Sequence, residues 1–171
     1  MGLLIEKDTI IKTLRRMTHE IIERNENLDD VILIGILQKG YPLAKIIQEN
    51  IKMVEGIDVK TYSLDISEYR DDEYKKESHN EHFNVTNKVC IIVDDVLFTG
   101  RTVRAAMDAL VDFGRPKKVQ LAVLVDRGHR EFPIRSDYVG KNIPTGSDEL
   151  VIVKLSGDYP GVFIEKKGNK E

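Results

Sequence analysis

The chain has 171 residues, of which 41% are hydrophobic and 32% charged, enough apolar material for the core of one ordinary domain and too mixed in sign for a disordered polyelectrolyte. A formal net charge of −3 excludes a uniformly basic nucleic-acid binder and leaves room only for a local basic face. The single cysteine, Cys90, excludes an internal disulfide, and no apolar run is long enough for a membrane helix.

The first twelve residues lack the basic-then-apolar layout of a signal peptide. With one cysteine, this leads us to expect a cytoplasmic protein. Apolar runs alternate with amphipathic stretches along the whole chain, which predicts a single α/β domain over 1–171 with a central, mostly parallel sheet.

Helical spacing runs from Ile10 to Asn25, with Ile11, Leu14, Thr18, Ile21 and Ile22 on one face. Lys12, Arg15, Arg16 and His19 fall on another face at i, i+3, i+4 and i+7. Val31–Ile36 is continuously apolar and predicts a strand buried on both sides. Gln38-Lys39-Gly40 then predicts a turn, and Pro42 the first position of a helix striped by Leu43, Ile46, Ile47 and Ile51. A strand is expected over Val59–Ile66. Glu68–Asn87 is polar and nearly without aliphatics, so a flexible loop is expected over about 68–87.

Val89–Val93 predicts a third strand, ending at Asp94-Asp95. The next helix is expected over Thr102–Phe113, with Val103, Ala106, Met107 and Leu110 inward. Val119–Val125 predicts a fourth strand. Residues 127–146 are expected to be irregular, followed by short closing strands at Val151–Leu155 and Val162–Ile164.

The segment from Val89 to Thr102 says most about chemistry. In open α/β sheets, ligands sit beyond the carboxyl ends of the strands. This strand end carries two acids, then Thr99-Gly100-Arg101-Thr102, then a helix. Backbone N–H groups at a helix start can close on a phosphate where Gly100 offers no side chain, and Thr99 and Thr102 add hydroxyls. Acids at Asp94 and Asp95 would repel that phosphate directly but would accept hydrogen bonds from sugar hydroxyls one step away. A ribose 5-phosphate therefore fits. No Gly-x-x-x-x-Gly-Lys-Ser/Thr loop occurs.

Val93-Asp94-Asp95-Val96-Leu97-Phe98-Thr99-Gly100-Arg101-Thr102 resembles the 5-phosphoribosyl-1-pyrophosphate (PRPP) loop of the type I phosphoribosyltransferases. Three further stretches are similar to the PyrR family: Gly114-Arg115-Pro116, the run from Gln120 to Glu131, and Gly140 to Thr145. His19-Glu20 and Tyr69-Arg70-Asp71-Asp72 are similar too, so the resemblance spans nearly the whole chain.

It implies a type I phosphoribosyltransferase fold with a small hood over about 127–155. It also implies two activities: uracil phosphoribosyl transfer from PRPP, and binding of pyrimidine-gene mRNA leaders governed by uridine nucleotides (UMP, UTP). The resemblance implies a homodimer or larger homo-oligomer, with Mg²⁺ arriving on PRPP and no dedicated metal ligands.

The resemblance also assigns roles. Asp94 and Asp95 would hold the ribose hydroxyls, and Val96 to Thr102 the 5-phosphate. Gln38-Lys39-Gly40 would form the pyrophosphate loop, with Arg70 contacting pyrophosphate or closing the lid. Arg127 and Val151 would lie at the uracil. Lys12, Arg15, Arg16 and His19, with Arg130, Arg135 and Lys141, would meet RNA, although a helix stripe of this kind is also what a solvated face shows.

Two departures stand out. The family usually has Thr-Arg-Gly at 38–40, where Lys39 keeps the charge but not the planar fork, and tyrosine at Phe98. A regulator with little turnover, or a salvage enzyme for another base, stays open.

Overall fold

Residues that alternate across a strand face opposite sides, and here both sides are apolar. In the computed structural model, which describes residues 1–71 and 77–168, Val31 and Leu33 pack with Leu14 and Ile47 on one side, while Ile32 and Ile34 pack with Val103 and Ala106 on the other. The elements run β1 (Gly2–Glu6), α1 (Lys7–Arg24), β2 (Val31–Ile36), α2 (Gly40–Glu55), β3 (Lys60–Leu64), β4 (Val89–Leu97), α3 (Arg101–Leu110), β5 (Lys118–Asp126), β6 (Tyr138–Asn142), β7 (Glu149–Lys154) and β8 (Gly161–Lys166). The central sheet has the order β3-β2-β4-β5-β6, and each neighbouring pair is parallel. A second sheet, β1-β8-β7, is antiparallel.

This order places the topological switch point between β2 and β4. There one connection leaves towards β3 and the other towards β5, so the loops after β2 and β4 diverge and leave a crevice.

Several expectations change. α1 begins at Lys7, and its inner face is Ile10, Leu14, Met17 and Ile21. Ile11, expected inside, is 39% exposed, against 3% for Ile10. Met107 likewise points outward, because Ala105, Ala106 and Ala109 bring α3 close to the sheet. Pro42 stands third in α2 rather than first, still within the turn where its missing N–H does no harm.

β4 does not stop at the acids. It runs on to Leu97, because β5 keeps pairing with it as far as Asp126. Residues expected to be irregular contain β6, which lies parallel on β5. β1 was not expected at all and is held by β8.

The loop expectation over 68–87 changes at its far end. Phe83 and Val85 are buried in the core. The Phe83 ring stacks between Tyr62 at 4.4 Å and Phe113 at 4.2 Å. Residues 72–76, including Asp72 of the Tyr69-to-Asp72 motif, lie outside the described residues.

Candidate active site

β4 carries its acids into the crevice at the switch point. Asp94 is buried and Asp95 half-buried. The Asp95 N–H donates to Asp94 Oδ1 at 2.8 Å, and the Val96 N–H donates to Asp95 Oδ1 at 2.8 Å. Burial, and after it the charge of Asp95, push the Asp94 carboxyl well above the ordinary carboxylate range, against a smaller pull from Arg70.

The chain then turns into α3. Gly100 adopts φ +92°, a left-handed conformation that suits glycine, directly before the helix. Gly100, at the N-cap of α3, has no side chain with which to cap it, so the first N–H groups of the helix face the turn. Thr99 Oγ1 accepts the Arg101 N–H at 3.2 Å. Arg70 Nη1 donates to Thr102 Oγ1 at 3.4 Å. Arg70 and residues 96–103 enclose a hollow of about 200 Å³. The structure thus brings Arg70 to the turn although 26 or more residues separate them along the chain.

The loop after β2 lies against the same strand. A Cβ added at Gly40 would stand 2.1 Å from the Val93 carbonyl oxygen, so only glycine lets α2 start this close to β4. The Leu37–Gln38 peptide bond is cis. Gln38 and Lys39 are exposed, and Lys39 Nζ donates to the Val153 carbonyl on β7 at 3.0 Å.

Arg127 follows β5 and is 3% exposed. Its N–H donates to the Leu97 carbonyl at 3.1 Å. Its guanidinium lies 4.0 Å from the centre of the Phe98 ring. Nε donates to Thr145 Oγ1 at 2.9 Å, and Nη2 donates to the carbonyls of Gly146 and Glu149. Burial lowers its pKa from the ordinary arginine value, and Glu149 opposes this.

His129 Nε2 meets the Thr145 carbonyl, and its ring stands edge-on to Phe98 at 5.8 Å. A second hollow, of about 380 Å³, is lined by Asp126–His129 with Asn142, Pro144 and Thr145. Val151, expected beside Arg127, packs against the core and does not line it. Asn142 and Thr145 were missed because nothing in their spacing marks them; only β6 brings them here.

Residues 5–159 match the family profile of the phosphoribosyl transferase domain. The chain is 52% identical over 162 residues to the Bifunctional protein PyrR of Clostridium kluyveri, covering 91% of this chain and 90% of that protein. It is 54% identical over 154 residues to the Pyrimidine operon regulatory protein of Lactococcus lactis subsp. lactis, covering 90% of this chain and 89% of that one. The chain belongs to the PyrR family of phosphoribosyltransferases.

The fold of this PyrR-family chain also matches solved phosphoribosyltransferases. The hypoxanthine phosphoribosyltransferase of Trypanosoma cruzi superposes with TM-score 0.77 at 17% identity, covering 97% of each chain. A hypoxanthine-guanine phosphoribosyltransferase of Bacillus anthracis gives 0.75 at 21% identity, covering 95% of each. At these identities the likeness concerns the fold.

The basic residues of α1 and of the segment after β5 differ in their contacts. Lys12, Arg15 and His19 are exposed and make no hydrogen bond or ion pair among the described residues. Arg16 does not share that freedom: its guanidinium donates to the carbonyls of Val139 and Gly140. Arg130, Arg135 and Lys141 are exposed, with Arg130 Nη1 donating to the Ile134 carbonyl at 3.3 Å. A second cluster escaped sequence reasoning. Arg101 and Arg104 both pair with Asp71, at 2.8 and 3.2 Å, and both lie over the Phe132 ring. No helix among the described residues is long and apolar enough to cross a membrane.

Proposed function

We propose that this chain transfers the phosphoribosyl group of PRPP to uracil, and that the resulting uridine nucleotide governs its binding to the mRNA leader of pyrimidine genes. One observation carries the reading: an acid pair, a helix-start turn and a second hollow converge at the ends of β4 and β5. The names of the relatives, bifunctional and pyrimidine-operon regulatory, point the same way.

In this reading the turn at 98–102 holds the 5-phosphate through backbone N–H groups and the Thr99 and Thr102 hydroxyls. Asp94 and Asp95 accept hydrogen bonds from the ribose diol. Uracil occupies the hollow at Asn142 and Thr145, with its N1 facing ribose C1. The C1–oxygen bond to pyrophosphate breaks as the N1–C1 bond forms, and the N1 proton passes to a pyrophosphate oxygen or to water. Positive charge builds on the sugar and negative charge on the leaving group, so Lys39 and Arg70 stabilise departure.

No group of three acidic, cysteine or histidine side chains able to cage a metal exists among the described residues. Mg²⁺ would arrive on the substrate, where it would offset pyrophosphate charge. Transfer and regulation take place in the cytoplasm, in a homo-oligomer.

A steady-state assay with uracil and PRPP, beside RNA binding with and without UMP, tests both halves. Formation of UMP and UMP-strengthened RNA binding are expected. Lys39, which replaces the family's arginine and bonds to Val153, favours a second reading, a regulator with little turnover. RNA binding without UMP formation would select it. UMP-independent transfer to hypoxanthine would select a salvage enzyme.

A further inference from the structure

Arg16 lies on the basic face of α1, yet its guanidinium is turned to the sheet. Nη2 donates to the Gly140 carbonyl at 2.6 Å and the Val139 carbonyl at 3.2 Å, while Nη1 pairs with Glu20 at 2.8 Å. The end of the helix makes the same connection twice more. Arg24 pairs with Asp137 at 3.0 Å and lies 5.5 Å from the centre of the Tyr138 ring. Asn25 Nδ2 donates to the Tyr138 hydroxyl at 3.0 Å, and that hydroxyl donates to Gln120 Oε1 at 2.8 Å. Asn25, Gln120 and Tyr138 are all buried. The packing is tight as well: a Cβ added at Gly140 would stand 2.8 Å from the Thr13 methyl. α1 is therefore fixed to β6 along Tyr138, Val139 and Gly140.

The other end of this five-residue strand belongs to the second hollow. Asn142 lines it, with Pro144 and Thr145 just beyond. The Ile143 N–H donates to the Asp126 carbonyl at 2.9 Å. A close-packed element this short gives a contiguous route from one end to the other.

We infer that Arg16 is a positioning residue and not an RNA contact: it joins α1 to β6, so that a nucleotide seated against Asn142 and Thr145 sets the position of the basic face formed by Lys12, Arg15 and His19. This rests on the reading of that hollow as the uracil end of a UMP site. By linkage, RNA held on α1 tightens UMP binding by the same factor.

Hydrogen exchange with and without UMP, on the wild-type chain and on Arg16→Ala, reads the joint directly. UMP is expected to slow exchange at 138–146 and, by about fivefold or more, at 16–24. Arg16→Ala keeps the first effect and weakens the second, since Arg24 and Asn25 still join the end of α1 to the start of β6. In parallel, the factor by which UMP strengthens RNA binding falls by about fivefold or more, while the slope of log affinity against log salt keeps its wild-type value.

Arg16→Lys retains the charge but not the planar group that meets Glu20 through one nitrogen and both carbonyls through the other, so it is expected to show the same loss of coupling. A salt slope lower by about one unit in Arg16→Ala, with wild-type coupling in Arg16→Lys, makes Arg16 a phosphate contact and overturns the inference. Protection at 138–146 with none at 16–24 in the wild-type chain also overturns it. Absence of protection at 138–146 is a different failure, that of the UMP reading, and takes this inference with it.

Discussion

Asp94 sits where an ionised carboxylate is least favoured, buried at a strand end beside a second acid. In the folded chain it holds its proton to higher pH than the unfolded chain does. From about pH 4 upward, the native state therefore binds more protons, and stability falls as pH rises through the folded pKa. Asp94→Asn removes this penalty. Without ligand, the variant is expected to melt above wild type at pH 7, the gap closing as pH drops below about 4, while transferase activity is lost. Thermal melts across this range check it; a variant that melts lower at pH 7 would mean that the Asp95 N–H and Arg70 outweigh burial.

Lys39 is the complementary case. It is exposed, and Val153 holds it only through one carbonyl. Lys39→Ala is expected to lower transfer by at least about tenfold, or 1.4 kcal/mol of transition-state stabilisation, with little change in melting temperature. Wild-type rates in Lys39→Ala would remove it from the pyrophosphate loop. A faster Lys39→Arg would show that the missing fork limits turnover.

At the scale of elements, Phe83 shows what a sequence hides. It stands in a polar stretch, yet its ring is the middle of a three-ring stack that ties the end of a long connection to β3 and α3's exit. Phe83→Ala is expected to destabilise the fold by about 3–5 kcal/mol, read by denaturant unfolding; a loss below about 1 kcal/mol would mean that the segment is not anchored.

β2, β4 and β5 were legible because their apolar runs are continuous, and the turn at Thr99–Thr102 because acids, glycine and helix start follow one another in sequence. β1 and β6 were not. Tyr138-Val139-Gly140-Lys141-Asn142 has no alternation to read, and its strand geometry comes from pairing with β5. The site divided along the same line. Residues within one strand-to-helix turn could be read together, whereas Arg127's reach to Thr145, Gly146 and Glu149 depends on how the hood folds back. Helical spacing set Arg16 on one face with Lys12, Arg15 and His19, but spacing fixes where a Cβ points and not where a long side chain ends.

For the whole molecule, acids outnumber Lys and Arg by three, so an RNA chain meets net repulsion except at a local basic face. Affinity must then come from few phosphate contacts, each releasing counterions, so the slope of log affinity against log salt should be shallow, at most about one unit per contact. Lys12 and Arg15 on α1, and Arg130 past β5, are exposed cations suited to this task. They lie outside both hollows at the strand ends, so removing their charge should leave uracil transfer intact. Each of Lys12→Ala, Arg15→Ala and Arg130→Ala is therefore expected to lower the slope of log affinity against log salt by about one unit at an unchanged transferase rate. The same variants must be measured for both properties, because only the pair separates the two surfaces. Lost transfer with an unchanged slope would move these residues to the active site. An unchanged slope with unchanged transfer would mean that the stripe is a solvated face and that RNA, if bound, lies elsewhere.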